Sequence, residues 1–274
     1  MNVMRKILIL WCCVALNFYA SAQQLLKLKS GEGEYNIVRT VGDSLQATGE
    51  DEMRFALIIG NRSYKLAPLQ NSVNDANDLA ALVTSKNFTV TKVIDGTKLE
   101  MKNAIREFAE KISSGGVGLF YYSGHGVQLD GENYLVPIDA DYEYKEEVPE
   151  DCVSVSSILR FMETSKNRLN IIILDACRNT PFKSFSRSGE KGMVRVEAPS
   201  GSIVAYSTAP GKTASDGNGR NGLYTSKLLK YLNVPGIKIE DVFKQVRIEV
   251  TRESNNLQSP WESNSLMGDF YFNN

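Results

Sequence analysis

The chain has a single histidine among 274 residues, and two of its four cysteines, Cys12 and Cys13, lie near the start. So little imidazole and thiol argues against a zinc site built from repeated Cys/His pairs and against a disulfide-stapled scaffold. Charge of one sign is also missing. The chain carries 31 basic and 32 acidic residues, a formal net charge of -1, and no long block of like charge. Nothing in that balance points to nucleic acid or a membrane surface as partner. Proline is scarce at 8, and no internal repeat is visible. What remains, 42% hydrophobic and 23% charged residues, is the composition of an ordinary globular protein with material for one large α/β domain.

The first 22 residues read as a signal peptide. Arg5 and Lys6 form a short positive region, residues 7–16 are apolar, and Ala20-Ser21-Ala22 offers small residues for cleavage. The apolar run is too short for a good membrane span, so export to the periplasm or the extracellular space is expected, with no stable span after processing. Residues 23–53 read as a leader or prosegment with at most a short strand near 35–41, and residues 54–274 as the main domain. Processing would leave two cysteines, Cys152 and Cys177, which a simple reading pairs as a disulfide.

From Phe55 the pattern becomes regular. Residues 55–60 form a continuous apolar run, as in a strand buried on both faces. Val73, Ala76, Leu79, Ala80 and Val83 fall at helical spacing over 71–86, and Met101, Ile105, Phe108, Ala109 and Ile112 do so over 98–112. Strands are expected at 88–94, 117–122, 169–174 and 202–207, helices at 153–164, 224–232 and 239–253, and a last short strand at 269–272. Strands alternating with helices predict an α/β fold, a mainly parallel central sheet of about six strands with helices on both faces. Functional groups in such sheets gather at the carboxyl ends of strands. Two tips stand out, Ser123-Gly124-His125-Gly126 and Asp175-Ala176-Cys177.

Imidazole titrates near neutral pH and suits proton transfer, and glycines beside it let the backbone approach a ligand. Thiolate is the reactive form of cysteine, and a nearby imidazole activates it. Alone, His125 reads as a strand-end residue and Cys177 as a small buried hydrophobe. Together, at strand ends on one sheet edge and about 50 residues apart in sequence, they form a candidate nucleophile–base pair.

That spacing, with six ordered blocks, resembles the caspase/metacaspase family of cysteine peptidases. The blocks are residues 55–61, Asn71-Ser72-Val73-Asn74-Asp75-Ala76, Tyr121-Tyr122-Ser123-Gly124-His125-Gly126, Leu174-Asp175-Ala176-Cys177-Arg178-Asn179, residues 205–211 and residues 268–272. The resemblance implies a caspase/haemoglobinase-like fold and peptide-bond hydrolysis through an acyl-enzyme on Cys177, with His125 transferring protons. It further implies an oxyanion hole from the backbone N–H groups of Gly126 and Cys177, and a segment around Ser207 that pairs with substrate backbone.

Caspases carry Gln two residues before the nucleophile and hold a P1 aspartate with arginine; here that position is Asp175. Asp75 stands where the metacaspase pattern puts an acid of the S1 pocket. Two carboxylates suit a P1 Arg or Lys, so Ser72, Asp75, Ser123 and Asp175 are expected to line S1, and the partners to be proteins or peptides with a basic P1 residue. Alternatively, Asp75 caps a helix and Asp175 makes only local backbone bonds. The chain departs from the family after the nucleophile, where Arg178-Asn179-Thr180-Pro181-Phe182 replaces the metacaspase His-Ser-Gly. Lys183-Ser184-Phe185 stands where metacaspases place a calcium-binding acid, so no metal cofactor is expected; Asp139, Asp141, Glu150 and Asp151 remain as oxygen ligands should calcium bind. A basic loop offers Lys183, Arg187, Lys191 and Arg195 for self-cleavage. The alternative from another class is a catalytically silent caspase-like binding module.

Overall fold

The computed structural model describes residues 52–165, 167–177, 193–209 and 219–273, with the side chain of Cys177 outside that description. The signal peptide, the leader up to residue 51 and the loop sites Lys183, Arg187 and Lys191 therefore lie outside the described residues.

Eight strands and six α-helices are found among the described residues. In chain order the strands are β1 (Arg54–Gly60), β2 (Thr89–Ile94), β3 (Val117–Leu129), β4 (Glu132–Leu135), β5 (Val153–Ser154), β6 (Leu169–Cys177), β7 (Ser202–Tyr206) and β8 (Trp261–Asn264). The helices are α1 (Ser72–Thr84), α2 (Lys98–Ile112), α3 (Val148–Asp151), α4 (Val155–Thr164), α5 (Leu223–Leu232) and α6 (Ile239–Glu253). The central sheet runs β2-β1-β3-β6-β7-β8; all its pairings are parallel except that of β8 with β7. This is the expected α/β sheet.

The periodicities explain the layers. Odd and even positions of β3 face opposite ways, so Tyr121 joins one core and Tyr122 the other. The first core takes Ala76, Leu79 and Val83 of α1, Leu228 and Leu232 of α5, and Val242, Val246 and Val250 of α6. The second takes Met101, Ile105, Phe108 and Ile112 of α2 with Ile158, Leu159 and Met162 of α4. Each fully buried aliphatic or aromatic side chain contributes about 1.5–3 kcal/mol. A third, smaller cluster holds Tyr64, Val127, Leu129, Val136, Tyr142, Val148 and Cys152. There Cys152 is a free, buried thiol, and burial, with Asp151 nearby, pushes its pKa up to about 12.

Two sequence expectations need correction. β3 does not stop at Tyr122 but runs on through His125 and folds back as a hairpin with β4. The flanking glycines do not end it: the ladder to β6 continues through Gly124 as far as His125, and Gly126 pairs with Leu135 of β4. Residues 269–272 form no strand and make only a single bridge, Lys238 to Tyr271. Their Phe270 and Phe272 fill the first core instead, and the final strand is β8, whose Trp-Glu-Ser-Asn sequence carries no apolar alternation.

Connectivity sets the location of the site. The chain leaves β1 for β2 on one side and returns to β3 on the other. Crevices in open α/β sheets form where the order reverses in this way, at the carboxyl ends of the strands.

Candidate active site

The parallel register of β3 and β6 sets Ser123 opposite Asp175, Gly124 opposite Ala176, and His125 opposite Cys177. The two candidate catalytic residues are therefore neighbours on adjacent strands. His125 is buried, and its Nε2 lies 2.7 Å from the carbonyl oxygen of Ala67. A carbonyl only accepts, so Nε2 carries a proton, and Nδ1 is the basic nitrogen of the neutral ring. Ala67 belongs to the loop after β1 and holds a left-handed φ of 49°, uncommon for a residue with a Cβ. Strain of that kind collects at functional sites.

The loop is pinned from several sides. Asp95 Oδ1 accepts from the N–H groups of Arg62 (2.7 Å) and Ser63 (2.8 Å), and its Oδ2 accepts from the Ser63 hydroxyl (2.7 Å). The buried Asn61 takes the Gly96 N–H on Oδ1 and donates from Nδ2 to the Val136 carbonyl. Burial opposes ionisation of Asp95, but the bonds from Ser63 and Arg62 outweigh it and hold the carboxyl below its ordinary range.

On the face toward α1 and α5 lie the candidate S1 residues. Ser72, Asp75, Ser123 and Asp175 are all buried. Asp75 reaches beyond its own helix: its Oδ1 accepts the N–H of Gly222, at the start of α5, at 3.0 Å. Asp175 makes more than local backbone bonds, since Thr225 Oγ1 donates to its Oδ2 at 2.7 Å. The Thr225 hydroxyl has one proton, so the Tyr121 hydroxyl, 2.7 Å away, must be the donor to Thr225 Oγ1. The Ser123 hydroxyl in turn bonds to Tyr121. Burial, with the charges of Asp75 and Asp175, pushes the Tyr121 phenol well above its usual pKa, so it stays a neutral donor. A Cβ on Gly222 would stand 3.1 Å from Oδ2 of Asp75 and 3.8 Å from Oδ2 of Asp175. The two carboxylates thus converge on Gly222.

Comparison with known proteins bears on this arrangement. The caspase-domain family profile matches residues 53–271. The chain belongs to the caspase-domain family. It is 37% identical over 126 residues to the human mucosa-associated lymphoid tissue lymphoma translocation protein 1, covering 46% of this chain and 15% of that protein. The mouse homologue is 37% identical over 139 residues, 50% of this chain and 16% of the homologue. Mouse caspase-1 is 26% identical over 236 residues, 76% of this chain and 56% of caspase-1. The chain therefore spans only part of the length of each of these relatives.

Within the caspase domain, further residues named from sequence find their places. Val136 N–H donates to the His125 carbonyl, so Gly126 and Leu135 form a non-hydrogen-bonded pair and the N–H of Gly126 points away from β4. A Cβ on Gly126 would come within 2.7 Å of the Met193 methyl and 3.1 Å of the Ala176 side chain, so a larger residue would have to displace the end of Met193. Ser207 is buried just past β7; its N–H donates to the Leu174 carbonyl, and its own carbonyl accepts from Gln258 Nε2 at 2.8 Å. Asp139 accepts the Lys98 N–H at the start of α2, Asp141 lies 3.6 Å from Lys65, and no group of three His, Cys, Asp or Glu side chains that could hold a metal is found among the described residues. No helix among the described residues is long and apolar enough to cross a membrane.

Sequence reading did not find Tyr64, Ala67, Asp95, Gly222, Thr225 or Gln258. The Asn221-Gly222 pair ahead of a helical pattern was the one visible signal, since glycine is common at helix N-caps.

Proposed function

We propose that this caspase domain is a cysteine endopeptidase that cuts after Arg or Lys. The observation that carries the reading is the register of His125 with Cys177, with the Nε2 proton engaged by Ala67. His125 Nδ1 takes the Cys177 thiol proton, the thiolate attacks the scissile carbonyl carbon, and the oxygen takes up charge facing the N–H groups of Gly126 and Cys177. Each such donor is worth about 3–4 kcal/mol of barrier. His125 Nδ1 then delivers its proton to the leaving amine, the C–N bond breaks, and the acyl-enzyme remains. Water adds to that thioester with His125 taking its proton, and the acid product leaves as the thiol reforms.

Basic selectivity follows from Asp75 and Asp175. A guanidinium or ammonium between them meets two carboxylates already held by Gly222 and Thr225, so little reorganisation accompanies binding. Self-processing in the basic loop fits the same selectivity. Of the candidate bonds, the one after Arg195 is the least suited. Val194 exchanges two hydrogen bonds with the Asn133 side chain, and the Arg195 guanidinium lies 4.7 Å from the centre of the Trp261 ring. Cleavage is therefore expected before Met193. Residues 1–22 are proposed to direct export and to be removed, which N-terminal sequencing of the protein recovered from the medium or periplasm would check.

Matched fluorogenic peptides differing only at P1 test the reading. Arg and Lys should be turned over and Asp should not, with no turnover by Cys177→Ala. Faster cleavage after Asp would overturn the selectivity. No cleavage of any peptide, and no labelling of Cys177 by an Arg chloromethyl ketone, would favour the silent module.

A further inference from the structure

We propose that Tyr64 is a positioning residue for His125, clasping its backbone and ring so that one imidazole tautomer faces Cys177. The inference rests on the peptidase reading for its kinetic part only.

His125 sits mid-strand, flanked by two glycines that contribute no side chain to hold it. The Tyr64 hydroxyl accepts its backbone N–H at 2.9 Å. The Tyr122 hydroxyl donates to its backbone carbonyl at 2.7 Å. The two phenol oxygens are 3.1 Å apart, and both lie within hydrogen-bond reach of the Val136 carbonyl, at 3.1 Å from Tyr64 and 3.0 Å from Tyr122. With the Tyr122 proton on His125, the Tyr64 proton goes to Val136, and each buried group is served. The Tyr64 ring also lies against the imidazole, with centroids 4.4 Å apart and planes tilted by 48°.

One loop therefore touches His125 three ways: Tyr64 at the backbone N–H, Tyr64 at the ring face, and Ala67 at Nε2. The arrangement also accounts for Gly124. A Cβ there would come within 2.5 Å of the Tyr122 oxygen and 2.6 Å of the Tyr64 oxygen, so any larger residue would push the phenols apart. The Tyr122 phenol remains a neutral donor. Burial, then the neighbouring Tyr64, pushes Tyr122 well above its usual pKa.

Tyr64→Phe removes the acceptor of a buried N–H while keeping the ring. Turnover per titrated active site should fall about 10- to 100-fold, as small misplacements of reacting groups do, with KM changed less than about twofold. Tyr122→Phe should act more weakly, because Val136 N–H still serves the same carbonyl. A merely structural role would lower the folded fraction and leave turnover per active site unchanged.

The lone histidine permits a reading that needs no substrate. In 15N-labelled Cys177→Ala protein every imidazole signal comes from residue 125. The parent should show one Nε2–H tautomer, and the added Tyr64→Phe change should give averaged 15N shifts of mixed tautomers. A single unchanged tautomer with full turnover in Tyr64→Phe would overturn the proposal. Mixing of tautomers in the variant of a protein that cuts no peptide would uphold the clasp and remove the peptidase reading instead.

Discussion

The two sides of the cleft are assembled differently. Among the described residues, the His125 side draws on chain that precedes Cys177: the loop after β1, Asp95, Tyr122 and Val136. Its groups are phenols, amides and carbonyls, with Asp95 as the outlying anchor. The acidic side joins Asp75 and Asp175 to Gly222 and Thr225, which follow the basic loop in sequence. A cut in that loop would leave the imidazole clasp within one fragment and stretch the carboxylate floor across two. On the proposed reading, proton transfer and substrate choice are separable in the fold, and substitutions on one side should leave the readout of the other unchanged.

The largest separation is expected from the acids. Asp175→Asn or Asp75→Asn removes a charged partner of P1, worth about 1.5–3 kcal/mol, so kcat/KM for P1-Arg peptides should fall roughly 10- to 150-fold. The His125 tautomer seen by 15N NMR should not change. A shift of that tautomer in Asp75→Asn would break the comparison.

Gly222→Ala should act next, by about tenfold. Gly222 has φ −57° and ψ 151°, which alanine adopts without strain, so any effect is steric. The added methyl crowds the broad guanidinium more than the slim ammonium, so the Arg/Lys ratio of kcat/KM should drop. An unchanged ratio would place the P1 head group elsewhere.

Acid titration gives the smallest effect and acts on the other side. Asp95 has a folded pKa below its unfolded value of about 3.9, so its stabilisation is present above that pH and fades as pH falls through the folded value. Hydrogen exchange in residues 61–70 should therefore quicken below about pH 4, before the central strands open. Asp95→Asn should abolish that step.

Much of this was legible beforehand, and the failures have physical reasons. The buried strands announce themselves as apolar runs, and His125 and Cys177 stand out because imidazole and thiol are scarce. The alternation test missed β8, since a four-residue edge strand needs no apolar face of its own when Trp261 alone packs on Tyr206. It mistook Phe270 and Phe272 for a strand because core plugs and strands share the same spacing of two. The acidic residues were visible as types, but what holds them lies at Gly222 and Thr225, about 50 residues or more away in sequence, where no local pattern reaches. Ala67 gave no warning at all. A left-handed position normally advertises itself through glycine or asparagine, and here tertiary contacts impose it on alanine.

Cys152 turns the third cluster into a clock. It shares that cluster with Tyr64, and at neutral pH a thiol pushed to about 12 is almost wholly protonated and unreactive. In a chain lacking residues 1–22, a thiol reagent should mark the nucleophile quickly and Cys152 only when the cluster opens. The delay between the first and second equivalents would then time how often the ground beneath the clasp gives way.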